Sequence, residues 1–109
     1  MKSVVVIEND TARRAMVIAR RTGNDVVGMI KAQQIDLLKE KMRNGVAHFI
    51  FYKKDGTLRE AWGTCVPSLM GNKVNHFINR DYYQNVVVYF DVEAGDFRCF
   101  KFENLVKVF

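Results

Sequence analysis

The chain has few of the residues that staple or punctuate a small protein. Its 109 residues include one proline, two cysteines, two histidines and one tryptophan. Two cysteines, Cys65 and Cys99, cannot form a disulfide scaffold, and a pair of buried reduced thiols is expected rather than a bridge. His48 and His76 have no Cys or acidic neighbours at metal-ligand spacing, so neither a zinc site nor another cofactor is expected. Cys65 lacks a nearby His in any nucleophile signature. No dinucleotide fingerprint, P-loop or paired-carboxylate arrangement is present. The longest apolar run, Val86–Phe90, is far too short to cross a bilayer, and Val4–Ile7 is too short for the core of a signal peptide. These absences point to a cytoplasmic, non-enzymatic protein with no membrane partner.

Apolar and aromatic residues are plentiful. Hydrophobic residues make up 49% of the chain, with eight Phe and four Tyr, which suffices for one packed core in a chain of single-domain length. The net charge of +5 is unevenly spread. Residues 1–45 hold nine Lys/Arg against five Asp/Glu, and the remainder hold eight against seven. The surplus ahead of residue 46 favours acidic partners, nucleic acid among them, through attraction that salt weakens.

Periodicity divides the chain. Ser3–Ile7 is a β-branched run expected as a strand. Asn9-Asp10-Thr11 offers capping oxygens for a helix over Thr11–Arg21, with Ala12, Ala15, Met16 and Ala19 on one face and Arg13, Arg14, Arg20 and Arg21 on the other. A strand over Ala15–Ala19 is the alternative. Val26–Ile30 fits a short strand or a turn. Ala32–Arg43 predicts a helix with Ile35, Leu38 and Met42 as its apolar stripe, stopped by Asn44-Gly45. From Val46 the period is two. Val46–Tyr52 and Leu58–Thr64 flank Asp55-Gly56, a strong hairpin signal. Val86–Val92 and Phe97–Phe102 form a second hairpin around Glu93-Ala94-Gly95-Asp96, and Leu105–Phe109 a fifth strand. Gly63 lets the second strand bend. Cys65–Asn85, with the single proline Pro67, is a long connection that holds either a helical turn around Val74–Ile78 or a functional loop. The expected class is α+β: an N-terminal helical segment and then a five-stranded Sm-like or SH3-like small β-barrel, with residues 1–30 as an extension and 31–109 as the barrel domain.

FYKKDGTLREAWGTCVP, followed by VVYFDVEAGDFRCFKFENLVKV, resembles the WYL-like, Sm-type SH3 β-barrel family of bacteria and their phages, long a domain of unknown function. Lys54-Asp55-Gly56-Thr57, Arg59-Glu60, Trp62-Gly63-Thr64, Tyr89-Phe90-Asp91 and Phe97-Arg98-Cys99-Phe100 carry the likeness. WYL domains proper are ligand-sensing modules of bacterial transcription regulators, proposed to bind nucleic-acid-derived or nucleotide ligands. This chain lacks the Trp-Tyr-Leu tripeptide and any evident helix-turn-helix ahead of the barrel.

The resemblance implies that Arg59 and Arg98 line a pocket for an anionic ligand, since a guanidinium fork donates two parallel hydrogen bonds to phosphate. The alternative places both on the outer face with their heads in water. Trp62 is either core or a stacking platform for a base, and Tyr52, Tyr82, Tyr83 and Tyr89 raise the same choice. Lys53, Lys54, Lys73 and Arg80 supply phosphate contacts or act only as solubilising charge. The cluster Arg13, Arg14, Arg20 and Arg21 is either a phosphate-contacting stripe or a solvated helix face. A binding module for nucleic acid or a nucleotide-like anion is the leading expectation. The alternative is an assembly module that forms a homo-oligomer through barrel edges, with Leu105–Phe109 as the candidate strand.

Overall fold

A computed structural model describes residues 2–76 and 85–109, with side chains placed for residues 10–75 and 85–109. Two helices, α1 (Lys2–Thr22) and α2 (Asp25–Asn44), precede five strands: β1 (Val46–Tyr52), β2 (Leu58–Thr64), β3 (Val86–Asp91), β4 (Asp96–Lys101) and β5 (Leu105–Val108). No helix among the described residues is long and apolar enough to cross a membrane.

The N-terminal third departs from expectation. Ser3–Ile7 is the first part of α1, not a strand. A helix-interior Val is disfavoured relative to Ala by less than about 0.7 kcal/mol, a small cost beside the gain of continuing a helix that lies along α2. Val26–Ile30 is also helical. Asn24 caps α2, its Oδ1 accepting the Val27 N–H at 3.1 Å. Gly28 sits so close to α1 that a Cβ there would lie 2.5 Å from the Ala15 carbonyl oxygen. The buried side of α1 coincides only in part with the expected alanine face, since Ala15 and Ala19 lie against Gly28 of α2. Ile18 and Arg14 are buried, whereas Met16 and Ala12 are exposed. Ala32–Arg43 is helical as expected and buries Ala32, Ile35, Leu38 and Met42.

The strands match the period-two reading closely. They form one antiparallel sheet in the order β4-β3-β2-β1-β5. The β4 and β5 edges are not paired with each other, so the expected barrel is an open, curled sheet. The curl is visible in the rings. Phe51 of β1 and Phe100 of β4 stack with centroids 4.4 Å apart, although a flat sheet would separate those strands by about 14 Å, three strand spacings. Gly63 makes the curl possible through space rather than dihedral freedom. The Tyr89 ring lies over it, 2.5 Å from where a Cβ would be. Inward-facing Ala47, Phe49, Phe51, Ala61, Val87, Tyr89, Phe100 and Leu105 join Ile18, Ala32, Ile35, Leu38 and Met42 in one core.

The connection after β2 carries 3₁₀ turns at Pro67–Leu69 and Gly71–His76. Ile78, Arg80, Tyr82 and Tyr83 lie outside the described residues. The β5 edge is partly engaged from α2, because Lys31 Nζ donates to the carbonyls of Glu103 (2.9 Å) and Leu105 (2.7 Å) and Lys41 Nζ to that of Phe109 (2.6 Å). The cysteines are free, with Cys65 partly buried and Cys99 exposed, so the expectation of two buried thiols fails at Cys99.

Candidate anion-binding cleft

Sheet register decides which predicted residues meet. Arg59, Ala61 and Gly63 share one face of β2, and Gly63 pairs with Asp91 of β3. Tyr89 pairs with Arg98 and Val87 with Phe100. Partners directly opposite in an antiparallel ladder project to the same side, so Arg59, Tyr89, Asp91 and Arg98 all face the concave interior.

They converge on Asp91. Its Oδ2 accepts a hydrogen bond from Arg59 Nη2 at 3.2 Å and forms an ion pair with Arg98 Nε at 3.1 Å. Its Oδ1 accepts the backbone N–H groups of Glu93 (2.9 Å) and Ala94 (3.0 Å). The side chain of Asp91 is 2% exposed, against 31% for Arg59 and 43% for Arg98. One buried carboxylate therefore fixes the β3–β4 turn with one oxygen and orients two guanidinium groups with the other. Neither arginine is splayed along the outer face. Sequence reasoning missed Asp91, although two signals marked it. It continues the inward alternation of Val87 and Tyr89, and an Asp that opens a turn commonly accepts the next backbone N–H groups.

The two arginines stand in a cleft of about 400 Å³ lined also by Phe51, Tyr52, Lys53, Lys54, Phe100 and Lys101. Five of its lining residues are cationic and none of those described is acidic. The Phe51–Phe100 stack gives it an apolar wall. Asp91 offsets one of the two arginine charges, leaving the other to add to the three lysines. Lys53 and Lys54 are placed by the β1–β2 turn. There Asp55 Oδ1 accepts from Thr57 Oγ1 (2.6 Å) and the Thr57 N–H (3.0 Å), which hold the Asp55 carboxyl below its ordinary range, and Gly56 adopts φ +85°.

Tyr89 stands beside this group with its ring fully buried and its hydroxyl without a hydrogen-bond partner among the described residues. Burial, reinforced by the Asp91 charge, pushes its pKa up. The unfolded phenol ionises near pH 10, so above that pH the folded state holds more protons and stability falls as pH rises. Tyr89→Phe is expected to raise stability by about 1 kcal/mol at neutral pH, by removing an unsatisfied hydroxyl, and to reduce the alkaline fall. Urea titrations at neutral pH and above pH 10 check both. Destabilisation at neutral pH would show that the hydroxyl has a partner.

Trp62 does not join the arginines. It points to the opposite face of β2, half-buried, and stacks on His48 with ring centroids 4.4 Å apart. His48 stacks in turn on Phe109 at 4.1 Å and pairs with Glu60 at 2.8 Å. Trp62 is thus neither a core residue nor part of the cleft. The α1 arginines are not a uniform stripe. Arg14 is buried and bonds Asp36 at 3.1 Å. Arg13 donates to Asn85 Oδ1 (2.6 Å), and Arg21 to Glu103 (2.8 Å) and the Asn85 carbonyl (3.1 Å). Arg20 is exposed and has no such contact among the described residues. Arg13 and Arg21 instead anchor Asn85, at φ +55°, at the entry to β3 and beside the cleft residue Val86. Lys73 pairs with Asp96 at 3.6 Å, away from the cleft lining.

A family described as WYL_2, with an Sm-like SH3 β-barrel fold, matches residues 35–106. The chain belongs to this family. Every cationic residue of the cleft, and Asp91, falls inside the matched stretch, whereas α1 and the first half of α2 lie outside it. This WYL_2 protein is also similar to an uncharacterised 11.5 kDa protein of the Gp31-cd intergenic region of Enterobacteria phage T4. The two are 32% identical over 77 residues, covering 67% of this chain and 74% of the phage protein. The relation to phages expected from the sequence is therefore shown. No solved structure matches the chain.

Proposed function

We propose that this WYL_2 protein is a non-enzymatic binding module whose cleft takes a phosphate-bearing, nucleotide-like ligand, either a free nucleotide or a segment of nucleic acid. The observation that carries the reading is the gathering of Lys53, Lys54, Arg59, Arg98 and Lys101 around one cleft with no acidic residue among the described residues lining it. Phosphate recognition needs such fixed donors, and the Asp91 clamp orients the guanidinium groups before any ligand arrives. The Phe51–Phe100 wall and the exposed Tyr52 supply apolar and aromatic surface suited to a sugar or base.

Fluorescence anisotropy with single-stranded DNA and RNA, with mononucleotides as competitors, tests the proposal across a salt series. Binding is expected to weaken with salt, with a log–log slope of about −0.7 per phosphate contacted. Lys54→Glu combined with Lys101→Glu is expected to weaken it at least about tenfold, equivalent to about 1.4 kcal/mol. Mononucleotides that compete would identify a free nucleotide as sufficient, and failure to compete would favour the polymer. Absence of binding by any of these ligands at low ionic strength would overturn the proposal.

A further inference from the structure

Five residues on the solvent side of α2 recur every four positions: Asp25, Met29, Gln33, Leu37 and Lys41, all exposed. Residues four apart form one ridge along a helix. The chemistry of this ridge runs acid, apolar, amide, apolar, base. Met29 is 61% exposed and Leu37 47%, and beside them Val26 is 66% and Ile30 53% exposed. The opposite side of the same helix carries the core residues Ala32, Ile35, Leu38 and Met42. Single exposed apolar residues need no explanation, but four along one exposed side of one helix form a patch of the kind that marks an interaction surface.

We infer that this face of α2 associates with a second copy of the chain, the two helices antiparallel and the two-fold axis passing by Gln33. The ridge is its own complement in that register alone. At each end Asp25 of one copy meets Lys41 of the other, whose exposed Nζ exchanges its contact with the Phe109 carbonyl for the partner's carboxylate. Met29 packs beside the partner's Leu37. Gln33 lies against the partner's Gln33, where each amide both donates and accepts. A parallel copy would set Asp25 against Asp25 and Lys41 against Lys41. Interdigitated four-residue ridges are the commonest helix-packing class, and an isologous two-fold contact is the commonest way for a chain to meet itself. A 20-residue helix is about 30 Å long, which places the contact among small, reversible interfaces. The surface shares no residue with the cleft lining, so a dimer carries two clefts. This association uses the helix rather than the β5 edge.

Sedimentation equilibrium from about 1 μM to about 1 mM tests it on the intact chain. The wild type is expected to pass from monomer to dimer. Asp25→Lys and Lys41→Asp alone each create two like-charge contacts and are expected to weaken the dimer at least about tenfold. An equimolar mixture of the two variants restores both opposite-charge pairs in the heterodimer and is expected to recover association close to wild type. Circular dichroism of each variant establishes that α2 is intact, and Leu37→Glu, at an exposed position, provides a second loss of association. A wild type that stays monomeric throughout would overturn the inference. So would single variants that associate like wild type, or a mixture no stronger than its components.

Discussion

Asp91→Ala is expected to lower the free energy of unfolding by about 2–3 kcal/mol. Removing one partner of a fully buried ion pair costs about 3–5 kcal/mol, but the guanidinium groups left behind here are 31% and 43% exposed and water recovers part of that loss. The substitution also strands the Glu93 and Ala94 N–H groups that close the β3–β4 turn. Urea unfolding of wild type and variant provides the measurement, and a loss under about 0.5 kcal/mol would show that the turn and the arginines hold their positions without the carboxylate. Asp91→Asn is a sharper comparison. It keeps the volume and the acceptor oxygen and removes only the charge, so it separates the turn contribution from the ionic one.

Phe100→Ala is expected to cost about 3–5 kcal/mol, the range for deleting a buried Phe ring. Phe100 is buried, stacked on Phe51, and near Phe49 (5.8 Å) and Tyr89 (6.1 Å). Its ring joins strand β4 to strand β1 across the concave side, so its loss removes both core volume and a contact that holds the curl. The same stack forms the apolar wall of the cleft. A parallel fall in ligand affinity is therefore expected even in variant protein that remains folded, read by unfolding and anisotropy on one preparation. Unchanged stability would mean that the curl is held by the remaining core alone.

Strand boundaries were legible because their signals are local. Period-two alternation, Asp55-Gly56 and the turn at Glu93–Asp96 each act within a few residues, and the observed β1 and β2 coincide with the predicted spans. The N-terminal segments were misread for the opposite reason. Val4–Ile7 and Val26–Ile30 carry β-branched residues whose local preference is weak, and the helical outcome depends on α1 and α2 lying together, with Gly28 against Ala15. The cleft was half legible. Arg59, Arg98, Lys53 and Lys54 were identified individually, but Trp62 was grouped with them because nearness in sequence hid the alternation that sends residues 59 and 62 to opposite faces. The α1 arginines were read as one face, either a phosphate-contacting stripe or a solvated side, because helical spacing says nothing about Asp36, Asn85 or Glu103 waiting on other elements.

By itself the amino-acid sequence determined the order of the elements from α2 onward, the two hairpins, the family resemblance and the cationic character of the region around the first turn. These follow from side-chain period, turn chemistry and composition, which operate at short range. Only the tertiary structure decided that β4 and β5 stay apart, that α1 is one helix from Lys2, and that Asp91 gathers Arg59 and Arg98. Those outcomes depend on helix packing, strand register and sheet curl, which bring together residues as far apart as Arg59 and Asp91.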